Sequence, residues 1–290
     1  ATTTVTITLT AAANALANGS WNDSLSLVDT TNNRVITRPL HLRVTDNYII
    51  TPATYSWVSP SAHTALTLGD DTISPAQALP FTFPFYEANR TSIVVSANGL
   101  VGFGATTGLT GNKSLGDYNA GENRQLSFRT VAPHDILAVW WDDLNPAAEV
   151  GVGSVLYGVD GTAPNRRVII TWNHIPHYDI LGRTSDPYAF QVILEEATKD
   201  IICQYQDVRP LDMVNGAGRS ATIGTENEVG DAAAFYSFQG STLLTNGLAL
   251  RFHYGPGAPG PQPVTNAAPT VATAAAATPS PVTTTTTTLT

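Results

Sequence analysis

The stretch Asp200-Ile-Ile-Cys-Gln-Tyr-Gln206 puts Ile201, Cys203 and Tyr205 on one side of an extended chain, because successive side chains of a strand point to opposite faces. It reads as a strand with one buried face, and Cys203 reads as a small apolar filler within it. Cys203 is the sole cysteine of the chain, so no intramolecular disulfide framework and no cysteine-based zinc site can form.

Working outward, the same kind of segment recurs. Helical periodicity is nearly absent, and short β-branched and aromatic runs alternate with Gly, Pro and Asn. Between residues 53 and 254 the strand expectations are Phe81 to Phe85, Ser92 to Ser96, Leu100 to Phe103, Ile136 to Trp141, Ser154 to Val159, Arg167 to Trp172, Ala189 to Glu195, Ile201 to Tyr205, Ser220 to Gly224, Ala234 to Phe238 and Leu248 to His253. Asn98-Gly99, Asp160-Gly161 and Asn246-Gly247 suit tight reversals, since Asn and Gly tolerate positive φ. So many strands in so short a span imply an all-β domain, either a closed barrel or two packed sheets.

Residues 1–52 are read as a separate, smaller unit with strands at Thr4 to Leu9, Ser24 to Val28 and Val35 to Val44. That is fewer than the seven or so strands of an immunoglobulin-like sandwich. The opening strands of such a module are expected to precede residue 1. From Gly255 onward the composition changes to Gly-Pro-Gly-Ala-Pro-Gly-Pro-Gln-Pro263, an Ala/Thr/Pro stretch and Pro281-Val-Thr-Thr-Thr-Thr-Thr-Thr-Leu-Thr290. Such a tail, residues 255–290, has too little apolar content for a core, and as polyproline II its first 27 residues would reach about 80 Å.

Bulk composition narrows the function classes. The net charge of −9 and only two lysines, Lys113 and Lys199, leave no basic footprint for nucleic acid. No apolar run approaches the roughly 20 residues of a membrane helix. The start, Ala1-Thr-Thr-Thr-Val5, lacks the regions of a signal peptide, so secretion would require a signal removed earlier. No Gly-x-Ser-x-Gly elbow and no phosphate loop is present, and no catalytic residue or cofactor is assigned.

Trp140-Trp141-Asp142-Asp143 is the segment that most resembles a site. Paired catalytic carboxylates would need to face one another, and adjacent strand residues do not. Asp142 and Asp143 with Asp70 and Asp71 are instead the candidates for calcium, which takes six to eight oxygens, although no calcium-loop spacing accompanies them. The alternative role of such aspartates is to fix a turn after a buried Trp. His174-Ile-Pro-His177 lacks the helical spacing and Glu of a metalloprotease and reads as exposed loop histidines. Sequons at Asn18, Asn22, Asn89 and Asn112 are N-glycan candidates. Thr283, Thr284, Thr285, Thr286, Thr287 and Thr288, beside prolines, suit O-glycosylation.

Two family resemblances follow from these runs. Thr6-Ile-Thr-Leu-Thr-Ala-Ala-Ala-Asn14, Ser24-Leu-Ser-Leu-Val28, Thr30-Thr-Asn-Asn-Arg34 and Arg38-Pro-Leu-His-Leu-Arg-Val44 resemble the second half of BACON-like, immunoglobulin-type modules of bacterial secreted proteins. Leu79-Pro-Phe-Thr-Phe-Pro-Phe-Tyr86, Val95-Ser-Ala-Asn-Gly-Leu100, Ala138-Val-Trp-Trp-Asp-Asp-Leu-Asn-Pro146, Gly153-Ser-Val-Leu-Tyr157, Val168-Ile-Ile-Thr-Trp172, Phe190-Gln-Val-Ile-Leu194, Ile201-Ile-Cys-Gln-Tyr205, Ala221-Thr-Ile-Gly-Thr-Glu-Asn227 and Asn246-Gly-Leu-Ala-Leu-Arg-Phe252 resemble a β-sandwich module near the C-termini of large bacterial surface proteins. Part of that pattern is similar to nidogen-type extracellular domains. The second resemblance implies an antiparallel β-sandwich, a place outside the cell or on its surface, and a structural rather than enzymatic role.

The resulting expectation is a partial immunoglobulin-like unit, a larger sandwich and an extended tail, acting as the subunit of a homopolymeric filament or surface assembly. An incomplete sheet can be completed by a strand from another copy, and the donor is expected at Val282, Thr284, Thr286 and Thr288 or at Val5, Ile7 and Leu9. The competing expectation is a glycan-binding or adhesin module of a secreted hydrolase that uses Trp57, Trp141 or Tyr178.

Overall fold

A computed structural model describes residues 6–8, 10, 16, 19–29, 31–44, 47–104, 109, 133–148, 153–178, 187–230, 232–238 and 240–255. The chain separates into two units, with the boundary between Asp46 and Asn47. In the first unit the described structure is one antiparallel hairpin, β1 (Gly19–Asp29) with β2 (Arg34–Val44). The register pairs Trp21 with Leu42, Asp23 with Leu40 and Leu27 with Ile36. Directly paired residues share a face, so one side carries Trp21, Leu25, Leu27, Ile36, Leu40 and Leu42 together with the charged Asp23 and Arg38. The other side is polar apart from Val28 and Val35, with Asn22 Oδ1 2.6 Å from the His41 ring and Ser26 Oγ 3.4 Å from Thr37 Oγ1.

Thr6 to Thr8, inside the expected strand Thr4 to Leu9, are not in a strand, and Ile7 is exposed. The expected boundary at residue 52 also moves. Asn47–Pro52 forms β3, which pairs with β15 (Leu248–Gly255) of the large unit from Asn47↔Gly255 to Pro52↔Leu250. Tyr48 is buried against Phe85, Tyr86 and Tyr254, so aromatic packing draws this segment into the second core.

The large unit holds two antiparallel sheets. After β3 come β4 (Thr64–Leu66), β5 (Gln77–Phe85), β6 (Ala88–Val95), β7 (Leu100–Gly102), β8 (Ile136–Trp141), β9 (Ser154–Asp160) and β10 (Arg167–Ile175). The remaining strands are β11 (Tyr188–Glu195), β12 (Ile201–Asp207), β13 (Thr222–Glu226), β14 (Ala233–Phe238) and β15. One sheet runs β3-β15-β12-β11-β10-β9-β4 and the other β14-β13-β8-β7-β6-β5. All eleven expected strands of this region are present. The inner faces interdigitate through Phe83, Phe85, Trp140, Trp172, Phe190, Cys203, Tyr205 and Phe252. Cys203 is fully buried, and burial pushes its thiol pKa above the ordinary value.

Polar pins tie the two sheets together. Tyr205 Oη donates to the Val139 carbonyl at 3.0 Å and Trp172 Nε1 to the Ser96 carbonyl at 3.1 Å. Near the margins Asn47 Nδ2 donates to Ala233 O and Tyr157 Oη to Ala78 O. These bonds satisfy groups that would otherwise be buried without partners, and they also fix the sheets' alignment.

β3 and β4 occupy opposite edges of the seven-stranded sheet, so the chain between them must cross its outer face. Two buried glutamines hold that crossing. Gln204 accepts the Ser56 N–H at 2.5 Å and donates to its carbonyl at 2.8 Å; Gln191 does the same for Val58 at 3.1 Å both ways. Each side-chain amide replaces the neighbouring strand that this stretch lacks, while Ala53 and Val58 pack on Ile169, Ile193 and Ile202.

Candidate functional site

The end of β8 carries the segment singled out in the sequence. Opposite it, β13 pairs Gly224 with Ala138 and Thr222 with Trp141, so β8 has one extra residue there, a β-bulge. The bulge breaks the alternation: Val139 and Trp140 both join the main core, and Trp141 turns to the opposite side among Leu100, Leu109 and Ile136. Gly99 receives the bulge, its carbonyl accepting the N–H groups of Val139 and Trp140 at 3.0 and 3.3 Å. Downstream, Asp142 and Asp143 point to different surroundings.

Asp142 is fully buried and satisfied. Its Oδ1 accepts the Asp143 N–H at 3.0 Å and lies 3.3 Å from His177 Nε2, and its Oδ2 accepts the Ser220 hydroxyl. His177 Nδ1 sits 2.8 Å from the Tyr178 carbonyl, so both ring nitrogens face acceptors, as a doubly protonated ring requires. Burial opposes that charge, but the hydrogen bond and charge of Asp142 outweigh it and lift the His177 pKa to about 9. His177 is therefore a half-buried partner of a carboxylate rather than the exposed loop residue expected; His174 is exposed.

Asp143 goes elsewhere. Its carboxylate converges with those of Asp70 and Asp71, the ligand oxygens lying within 4.8 Å of one another. Asp70 and Asp71 come from the turn after β4, which is closed by Thr72 Oγ1 bonding both the N–H and the carbonyl of Gly69 at 2.7 and 3.0 Å. The turn docks on the Asn98 segment through Ala97 N–H to Thr72 O at 2.9 Å, and Asp71 adopts a positive φ of 51°. Asn98 is the hub. Its Nδ2 donates to Asp71 Oδ1 and its Oδ1 accepts the Leu144 N–H, both at 2.9 Å.

The electrostatics of the cluster are unfavourable as they stand. Burial raises the Asp143 pKa to about 7; His177 opposes the shift, while Asp71, Asp70 and Asp142 add to it. Burial and then the neighbouring Asp71 also raise that of Asp70. Of the four expected carboxylates the structure thus gathers three and separates Asp142. The sequence marks Asn98 only as part of a reversal and His177 only as an exposed loop histidine, and it gives no sign of Ser220 as a partner, because their roles depend on contacts between residues 27 to 78 positions apart.

Asn22 and Asn89 are exposed, on β1 and β6. Asn18, Asn112, Val5, Leu9, Val282 and Thr283 to Thr288 fall outside the described residues. Trp141 is buried, only 2% exposed, and so offers no platform to a glycan; Trp57 is half-buried and stacked on Tyr55 at 6.5 Å, and Tyr178 is exposed.

A second buried carboxylate, Asp135 at the head of β8, has Arg90 Nη2 2.7 Å from its Oδ2, yet neither of its oxygens accepts a well-directed hydrogen bond. Burial prevails over the Arg90 charge and raises its pKa to about 6. A carboxyl with a folded-state pKa above its unfolded one weakens the fold when ionised. The cost is complete above pH 6 and disappears below about pH 4. Relative to the wild type, Asp135→Asn is expected to gain on the order of 2–3 kcal/mol at pH 7.5 and almost nothing at pH 4. Urea unfolding at the two pH values measures the difference; an equal effect at both would show that Asp135 does not titrate in this range.

Fold and site together define an all-β sandwich module with a preorganised polar corner. The profile of the NIDO-related family matches residues 47–249, and the chain belongs to that family. Searches of curated proteins and of solved structures give no match. Membership points to an extracellular structural or binding module and not to a catalytic family. Among the described residues no helix is long and apolar enough to cross a membrane.

Proposed function

We propose that this chain is an extracellular structural protein that assembles head to tail, its first unit being completed by a strand from another copy. The supporting observation is the β1–β2 hairpin. One of its faces is mostly apolar, through Trp21, Leu25, Leu27, Ile36, Leu40 and Leu42 beside Asp23 and Arg38, and the sheet contains only two strands among the described residues. An isolated two-stranded hairpin is marginal in water, so a further strand along either edge of this sheet would stabilise it. A strand added to an edge gains main-chain hydrogen bonds and covers apolar surface. Because donor and acceptor lie at different places on the molecule, the contact repeats without closing and gives a polymer. The donor is the Val282 to Thr288 segment, rich in strand-forming Val and Thr, or the segment of Val5, Ile7 and Leu9.

The test uses the full chain, with negative-stain microscopy and light scattering as readouts. Wild type is expected to form filaments, whereas Leu27→Asp and Leu40→Asp are expected to leave monomers, as is deletion of residues 281–290 if the tail is the donor. Filaments that survive the deletion but not the hairpin changes would remove the tail from the contact. A wild type that stays monomeric at high concentration would overturn the reading. In that event a glycan array with Trp57→Ala and Tyr178→Ala decides whether the module binds polysaccharide instead.

A further inference from the structure

We propose that Asp70, Asp71 and Asp143 form a calcium site at the corner where the turn after β4 meets the end of β8. Three carboxylates within 4.8 Å of one another would not by themselves make a site. What distinguishes this cluster is its unmet bonding capacity. Asp143 is 8% exposed, and its Oδ1 is buried with no hydrogen-bond donor. Asp70 Oδ1 is likewise buried and without a donor. Folding has removed water from two carboxylate oxygens and supplied nothing in its place, which is costly unless a cation takes the water's role.

The adjacent residue behaves differently. Asp142 is more deeply buried, yet it receives Ser220, the Asp143 N–H and His177. The fold therefore satisfies a carboxylate here when nothing else is meant to. His177, the nearby basic side chain, directs its ring nitrogens at Asp142 and at the Tyr178 carbonyl.

The donor chemistry selects the ion. The cluster offers oxygen atoms and no thiolate or imidazole, which suits a hard divalent cation. Calcium binds oxygens at about 2.3–2.6 Å, so ligands on opposite sides of it stand up to roughly 5 Å apart, a range that includes oxygens within 4.8 Å of one another. Magnesium, at about 2.0–2.1 Å with strict octahedral geometry, accepts less variation in ligand placement than calcium does. The scaffold holds the ligands where they are. Asn98 holds Asp71 and Leu144, Thr72 closes the turn, and the Asp143 carbonyl is fixed by the Tyr178 N–H at 2.7 Å. Three carboxylates leave coordination positions for water, which places the affinity in the range of extracellular modules, a Kd of about 0.1–1 mM.

The full chain, stripped with EDTA and then titrated with calcium chloride in a calorimeter, tests the assignment. One binding event in that range is expected, with a Tm about 4–8 °C higher in 10 mM calcium than in EDTA. Terbium added to the stripped protein and excited through tryptophan is expected to luminesce and to be displaced by calcium. Asp143→Asn and Asp70→Asn should each abolish the Tm shift and the luminescence, while Asp207→Asn, outside the cluster, should retain both. In EDTA, Asp143→Asn is expected to be no less stable than wild type, since it removes an unpartnered charge. That outcome separates a ligand from a residue the fold merely needs. The proposal is overturned if the stripped wild type shows neither heat nor Tm shift. It is equally overturned if both Asn variants keep the response, or if magnesium stabilises as strongly as calcium.

Discussion

Replacing Gly99 by alanine is expected to destabilise the large sandwich by more than about 4 kcal/mol, and to disorganise the acidic corner with it. Two effects combine. Gly99 has a φ of +74°, which a residue bearing a Cβ adopts at a cost of roughly 1 kcal/mol. Steric overlap costs more, because an added Cβ would lie 1.9 Å from the Trp140 carbonyl oxygen and 2.6 Å from its carbon. Those atoms belong to the bulge that β7 and β13 hold from both sides, so they cannot retreat without breaking pairing. Gly247 separates backbone strain from overlap. Its φ is +79° but an added Cβ meets nothing within 4 Å, so Gly247→Ala should lose only about 1 kcal/mol. Urea midpoints of both variants provide the comparison. Similar losses would mean that the close approach at the bulge is not what requires glycine at position 99.

The contrast between those glycines shows what sequence reading could reach. Asn98-Gly99 and Asn246-Gly247 look alike as tight reversals, and both glycines do take positive φ. That one of them receives a bulge from a strand some 40 positions later is a tertiary fact with no local signature. The strands from Phe81 onward were legible because each alternates apolar and polar residues or forms a continuous buried run. β3 and β4 were not. Asn47–Pro52 joins a neighbour some 200 residues away, and Thr64–Leu66 is too short to show a period. The crossing of residues 53–59 over the outer face was hidden as well, since Gln191 and Gln204 resemble solvent-facing strand residues until their amides are seen binding Val58 and Ser56. At the acidic corner Asp142 and Asp143 do face different surroundings, but they follow β8 and do not lie within it, so strand alternation is not the cause. Which of the two meets Asp70 and Asp71 depended on a bulge that adds one residue.

Trp172 provides the second large effect, because it joins the two sheets both by packing and by a hydrogen bond. It is fully buried, stacks on Phe190 with ring centres 5.0 Å apart at 16°, and donates from Nε1 to the Ser96 carbonyl at 3.1 Å. Trp172→Ala is expected to cost about 3–5 kcal/mol, the sum of lost apolar transfer and a cavity that rigid strands on both sides cannot fill. Trp172→Phe retains much of the packing but leaves the Ser96 carbonyl without this donor, for an expected loss of about 1–3 kcal/mol. Ser96 lies at the start of the turn that carries Asn98 and Gly99, and its hydroxyl accepts the Asn98 N–H at 3.2 Å and donates to the Leu109 carbonyl at 2.7 Å. The two variants should therefore differ in more than degree. Trp172→Ala should lower the denaturant midpoint and broaden near-ultraviolet dichroism across the aromatic core. Trp172→Phe should keep a sharp transition while raising hydrogen exchange around residues 96–99, where the missing bond acts directly. If Trp172→Phe left exchange there at the wild-type rate, the indole would be acting through its bulk alone, and the turn that positions Asn98 would owe its rigidity to Ser96 and the β8 bulge without help from the opposite sheet.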